Sequence, residues 1–197
     1  MTSALSITAC VQPPWVDAPN GSPTEPVGHN SAFGDDDLED LLRSRRAGGL
    51  IYVWSPHMPY SVKGLRDMAV LGARVGMPVT PLLDPYAETT LSVRVVQEAE
   101  LPREALRSLA SPTLFARGAT LHFPTLLVFA HGRLAEQMLP GYTSPAVYET
   151  FIEEQLAHIV LQDAYRQPLE CARTSSSRPP GAGRRWLRCS QTTVSRR

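Results

Sequence analysis

The sequence predicts an α/β domain of three layers, a mixed sheet with helices on both faces, over residues 35–165. Two observations carry this. Short apolar runs of strand type at residues 50–54, 77–83, 125–129 and 134–139 alternate with stretches whose apolar residues recur at helical spacing. The last two runs are separated by a tight turn containing His131-Gly132, the signal of an antiparallel hairpin.

Each element has its own justification. Residues 35–47 read as a helix because five of the six residues 35–40 are acidic, Arg43, Arg45 and Arg46 lie at its end, and Gly48-Gly49 stops it. Residues 61–75 read as a second helix, with Val62, Leu65, Met68, Ala69 and Gly72 along one face and Gly76 as the stop. In the strand at 77–83, Pro78 and Pro81 argue against regular pairing at those points, since proline brings no N–H to a ladder. Shorter helical patterns cover 88–98 and 102–109. A final helix at 144–159 opens on Ser144-Pro145 and carries Tyr148, Phe151, Ile152, Leu156 and Ile159 on one face. Strands separated by helices predict parallel pairing, and the terminal hairpin adds an antiparallel edge.

Composition narrows the classes of function. The chain has 197 residues, 43% of them apolar, which suits one globular domain with tails. A core of roughly 130 residues buries more than ~60% of its unfolded surface and folds unaided. No window approaches the ~18 to 20 apolar residues of a membrane span. The formal net charge is zero, which gives no reason to invoke nucleic acid. Residues 1–34 contain Pro13-Pro14, Gly21-Ser22-Pro23 and Pro26 with few large apolar residues, and read as a disordered linker. Residues 166–197 read as a disordered basic tail, with seven arginines and one glutamate from position 168 onward.

The three cysteines, Cys10, Cys171 and Cys189, all lie in the flanks. No pair has the spacing of a zinc site or of Cys-x-x-Cys, and an odd number excludes a fully paired disulfide framework. Ile7-Thr8-Ala9-Cys10 resembles the lipobox of bacterial lipoproteins, in which the cysteine becomes the lipid-bearing residue. No basic segment precedes it and the apolar stretch is short, so two readings stand. With a start codon further upstream, Cys10 is a membrane tether and the protein is periplasmic or membrane-anchored. With a chance tetrapeptide, the protein is cytoplasmic.

The order of elements, together with Trp54-Ser55-Pro56-His57-Met58 after the first strand and Phe123-Pro124-Thr125 opening the third, resembles the thioredoxin superfamily. In that family a tryptophan precedes Cys-x-x-Cys at a helix N-terminus, and a cis-proline before the third strand faces the dithiol. Trp54 and Pro124 match these positions, Thr125 follows the proline as it commonly does, and Gly132 and Gly141 match the glycines of the hairpin and of the turn into the last helix. The stretch between residues 88 and 123 is longer than in thioredoxin itself. It is closer to the larger periplasmic, membrane-anchored thioredoxin-like proteins of bacteria.

The departure falls on the chemistry. Ser55 and Met58 stand where the resemblance implies cysteines. Dithiol exchange needs a thiolate to attack a disulfide and a second thiol to resolve the mixed disulfide, and neither a hydroxyl nor a thioether does this. The histidine that stabilises a thiolate in the strongly oxidising branch corresponds to His57, which here has none to stabilise. The buried carboxylate that many thioredoxins carry on the first strand is absent from residues 49–53.

Ser55 at a helix N-terminus reads as an N-cap, or as the hydroxyl that holds a glutathione thiolate in some enzymes of this fold. His57 and Met58, with His122 beside the proline, are candidate copper ligands, while Met58 packed on Trp54 or Pro124 is the competing reading. No Gly-x-Ser-x-Gly elbow supports serine hydrolase chemistry. The expectation is a module with no cofactor and no dithiol activity. It binds a protein or peptide along a groove formed by an exposed Trp54 with Pro56, Phe123 and Pro124. The alternative is a glutathione- or copper-binding enzyme or carrier that uses residues 55–58.

Overall fold

The computed structural model describes residues 32–176, with side chains through residue 165. The tetrapeptide ending at Cys10, the linker up to residue 31 and the tail from residue 177 lie outside the described residues. Contacts divide the chain into a unit from Met1 to Val160 and a second from Leu161 to Arg197. The sheet and both hydrophobic cores lie in the first unit.

The elements run α1 (Asp35–Ser44), β1 (Gly49–Trp54), α2 (Pro59–Val75), β2 (Val79–Leu83), α3 (Thr89–Glu98), a 3-10 turn (Arg103–Leu106), α4 (Pro112–Ala116), β3 (Thr125–Ala130), β4 (Arg133–Pro140) and α5 (Pro145–Ser176). Helix α5 was expected to end near residue 159, and its backbone continues through Ser176. The strands lie in the order β2-β1-β3-β4. β1 pairs in parallel with β2, and β3 is antiparallel to both β1 and β4.

Period-two alternation builds the three layers. Leu50, Tyr52 and Trp54 of β1 face one core with Leu65 and Met68 of α2 and Tyr148 and Ile152 of α5. Ile51 and Val53 face the other, with Leu38 of α1 and Leu114 of α4. Every residue of β1 and of β3 is buried, as strands covered on both faces require. The result is the mixed sheet with a C-terminal hairpin and helices on both faces that the thioredoxin resemblance implied.

Parallel pairing was expected for all helix-separated strands, and β3 departs from it. The segment after β2 leaves from the Trp54 end of the sheet. Through Val96 of α3 it packs on one face and through Leu114 of α4 on the other. It then enters β3 at the same end, where Thr125 pairs with Val53. A connection that starts and finishes at one end delivers an antiparallel strand. The ends of β1 and β2 and the start of β3 are thereby gathered together.

Pro81 is accommodated within regular pairing opposite Tyr52. The Leu83 N–H and C=O point away from β1, to the Arg107 carbonyl and the Leu109 N–H. Two residues earlier the same side of the strand faces outward, so the N–H that Pro81 lacks is one that β1 does not use. The helix expected at 102–109 is only a 3-10 turn, because residues 107–109 are extended along β2, with Ser108 bridging Leu83. Helix α4 was not anticipated. Its signal is Ser111-Pro112, with the Ser111 hydroxyl accepting from the Leu114 N–H at 3.2 Å, but five residues are too few to show a period. In the hairpin, His131 and Gly132 have φ of 54° and 78°, as a type I′ turn requires.

Gly64 is fixed by close approach, because a Cβ there would overlap the buried Tyr52 hydroxyl. Gly64→Ala should destabilise the domain by about 1–3 kcal/mol despite the better helix propensity of alanine. Tyr52→Phe should recover part of that loss in the double variant, because it removes the overlapping oxygen. Urea denaturation of the two single variants and the double variant measures the coupling. Simple additivity would contradict the proposed clash.

Candidate functional site at the converging strand ends

Trp54 ends β1 and points into the core shared with α2 and α5, where it is fully buried and its indole N–H donates to the Ala105 carbonyl at 2.9 Å. The expectation of an exposed aromatic is therefore corrected. The alternation that buries Leu50 and Tyr52 also buries Trp54, and the 3-10 turn covers it.

Ser55 is also buried, at 1% exposure. Its hydroxyl donates to Asp84 Oδ2 at 2.9 Å, and its backbone N–H donates to Ser61 Oγ at 3.0 Å. It is neither a helix cap nor at the helix N-terminus. Helix α2 begins at Pro59, with Met58 as an extended N-cap. The reason is local: a residue before proline is pushed out of the α region, so the helix cannot extend back through Met58. Residues 55–58 form a turn instead, closed by the Met58 N–H donating to the Ser55 carbonyl at 3.2 Å. A hydroxyl that is buried and already donating to a carboxylate is not presented to a glutathione thiolate.

Asp84 was missed by the sequence reading. A buried carboxylate does stand beside the turn of residues 55–58, but it comes from the residue after β2 rather than from β1. Its N–H donates to the Trp54 carbonyl at 2.7 Å, and its Oδ1 accepts from the Tyr86 N–H at 2.9 Å. Asp84-Pro85 has the composition of an ordinary turn, so no sequence signal marks it as a partner of Ser55.

On the other side of the site, the Phe123–Pro124 peptide bond is cis. Pro124 and Thr125 are buried, and Phe123 is half-buried. Thr125 Oγ1 donates to the His122 carbonyl at 2.6 Å, and the Pro124 carbonyl accepts from the Gly141 N–H at 2.6 Å. Phe123 lies outside the strands, and among the described residues its own N–H and C=O have no backbone partner.

Tyr142, the residue after Gly141, links this loop to α2. Its ring stacks on Tyr60 with centroids 5.5 Å apart and planes 19° apart. Its hydroxyl donates to Asp67 Oδ2 at 2.9 Å, and Lys63 Nζ reaches the same oxygen at 2.8 Å. Donating to the Asp67 carboxylate, and also to the Tyr142 hydroxyl oxygen, raises the Lys63 pKa, so the ammonium stays charged. Beneath them burial, with smaller contributions from Tyr148 and Asp67, pushes the Tyr52 hydroxyl well above the usual tyrosine range.

The surface above this buried base is apolar and aromatic. Met58 is 48% exposed, Tyr60 68% and Tyr86 86%. Met58 thus leaves about half of its surface open to solvent. Pro56 is buried, and His57 and His122 are exposed. Among the described residues no group of three His, Cys, Asp or Glu is placed to hold a metal ion.

No family model and no curated protein matches this chain. Solved structures with a similar backbone do occur. The dsbF protein of MTB, in mixed oxidized and reduced forms, is 14% identical over 60% of this chain and 84% of its own, with a TM-score of 0.43. The exposed lipoprotein thioredoxin Etrx1 of Streptococcus pneumoniae is 16% identical over 57% and 89%, with a TM-score of 0.42. A secreted Mycobacterium tuberculosis disulfide oxidoreductase is 11% identical over 57% and 83%, with a TM-score of 0.40.

The buried contacts make Trp54 and Ser55 supports of the site. Trp54→Ala should cost about 3–5 kcal/mol of unfolding free energy. Ser55→Ala should cost about 1–3 kcal/mol, because it strands a buried Asp84 oxygen. Equilibrium urea unfolding reads both. A Ser55→Ala midpoint equal to that of the parent would mean that Asp84 does not depend on this hydroxyl.

Proposed function

We propose that the domain is a thioredoxin-fold binding module that holds an extended protein or peptide segment and carries out no dithiol chemistry. The observation that carries the reading is that, at the end of the sheet where β1 finishes and β3 starts, the Phe123 backbone has no backbone partner among the described residues, while Met58 and Tyr60 are exposed and the half-buried Tyr142 stacks on Tyr60. A main-chain N–H and C=O left open at a strand's start can add one stretch of extended backbone, which gives affinity without sequence preference. Aromatic and methionine side chains beside it supply anchors, since tyrosine buries a large area at little entropic cost and methionine adapts its shape.

The chemistry available at residues 55–58 supports the same reading. The sequence between residues 32 and 165 contains no cysteine, so no thiolate arises within the domain. The Ser55 hydroxyl is committed to Asp84, which removes the specific support for a glutathione site. Binding therefore centres on Tyr60 and the Phe123 edge, and Trp54 supports them from below.

Two measurements test this. With a thiol donor, the full chain should not reduce insulin. Turnover that survives replacement of Cys10, Cys171 and Cys189 by serine would overturn the non-redox reading. A fluorescently labelled, permanently unfolded polypeptide, reduced and carboxymethylated, should bind the full chain. Tyr60→Ala should weaken that binding by about 5- to 30-fold, corresponding to ~1–2 kcal/mol. Unchanged binding in a folded Tyr60→Ala variant would remove the proposed rim.

A further inference from the structure

We propose that Tyr60 and Tyr142 form a site of oxidative modification. A one-electron oxidant of the haem-peroxidase class turns both phenols into radicals, Asp67 takes the Tyr142 proton, and the two rings join through a new carbon–carbon bond. The proposal goes beyond the binding-module reading and does not require it.

Contact is the first observation. Tyr60 follows Pro59 in the first turn of α2, and Tyr142 follows the glycine after β4, so distant segments present their rings to each other. The centroids are 5.5 Å apart and the planes 19° apart. Stacked carbons touch at about 3.5–4.0 Å, so a longer centroid distance means that the rings are offset. Tyrosyl radicals couple through ring-edge carbons beside the oxygen, and an offset pair brings ring edges together. Held in contact, the pair couples unimolecularly, which favours it over collisions between the exposed Tyr86 or Tyr165 of separate molecules.

The second observation is a base in place. A phenol gives up a proton as it loses an electron, and the Tyr142 hydroxyl already donates to Asp67 Oδ2 at 2.9 Å. Lys63 Nζ donates to the same phenol oxygen and lies 4.9 Å from the ring centroid. A ring that lost an electron but kept its proton would be a cation beside that ammonium, and transfer to Asp67 avoids the repulsion. Tyr148 meets Tyr142 edge-on at 6.4 Å, but its hydroxyl and that of Tyr52 donate to the Gly141 and Ser61 carbonyls, which are far weaker bases than a carboxylate.

Access is the third. Tyr60 is 68% exposed, so an oxidant reaches it and solvent takes its proton. Residues 32–165 hold no cysteine, so no thiol of the domain competes for the oxidant.

The step balances. Each phenol loses one electron and one proton, the two radicals share their unpaired electrons in one bond, and the hydrogens on the joined carbons move to the oxygens. The product has two hydrogens fewer than the parent, and the electrons and protons released convert one hydrogen peroxide into two waters. The bond fastens the turn after β4 to α2 and closes a long loop of the unfolded chain.

The test treats the dilute full chain with a haem peroxidase and hydrogen peroxide, then with a thiol to open any disulfide. A monomer lighter by two hydrogens should form, with dityrosine fluorescence, a proteolytic fragment joining Tyr60 to Tyr142, and a higher midpoint of thermal unfolding. Tyr60→Phe and Tyr142→Phe should each lose this product, and Tyr86→Phe should keep it. Asp67→Asn should form it about 10-fold more slowly, and Asp67→Glu should recover most of the rate, with thermal unfolding confirming that each variant is folded. Chains cross-linked in pairs through Tyr86 or Tyr165, with no lighter monomer, would overturn the site. So would a product that survives Tyr142→Phe. An unchanged rate in Asp67→Asn overturns the assignment of the base.

Discussion

The hydrogen bond from Ser55 to Asp84 joins two loops that leave the same end of the sheet, and the rest of the site is arranged on it. One Asp84 oxygen accepts the Ser55 hydroxyl and the other the Tyr86 N–H, while its own N–H reaches the Trp54 carbonyl. Both Ser55 and Asp84 are buried, so each polar group needs its partner, and the loops cannot separate without stranding a carboxylate. Met58, Tyr60 and Tyr86 are carried outward from this point. Where a dithiol would make the loop reactive, a hydroxyl and a carboxylate make it a fixed support.

A second constraint is the sheet topology. Because β3 starts at the end where β1 and β2 finish, the Phe123–Pro124 loop is brought to the Ser55 turn. Tyr142 completes the link by stacking on Tyr60 while the preceding Gly141 bonds to Pro124. The site is thus assembled from four places in the sequence, and its buried members hold the exposed ones in position.

This division explains why the residues that carry the resemblance differ from those that reach the surface. Trp54, Ser55, Pro56 and Pro124 are all buried. Their spacing reports the fold, because each meets a packing requirement where strand ends converge. Tyr60, Tyr86 and Tyr142 belong to no motif. A tyrosine in a helix or loop is compatible with core, surface or interface, and only its exposure and neighbours distinguish these.

The alternating apolar runs and helical faces determined by themselves the layers, the hairpin and the absence of a thiol from residues 32–165, because periodicity and residue chemistry are local properties. Pro59 also held a local message, the start of α2 after Met58, since the restriction it places on the preceding residue needs no tertiary contact. The antiparallel direction of β3, the burial of Trp54 and the pairing of Ser55 with Asp84 were decided only by tertiary structure. Each depends on where a long connection brings the chain back. Asp84 lies 29 residues from Ser55, and no pattern in either segment encodes the 2.9 Å that separates their oxygens.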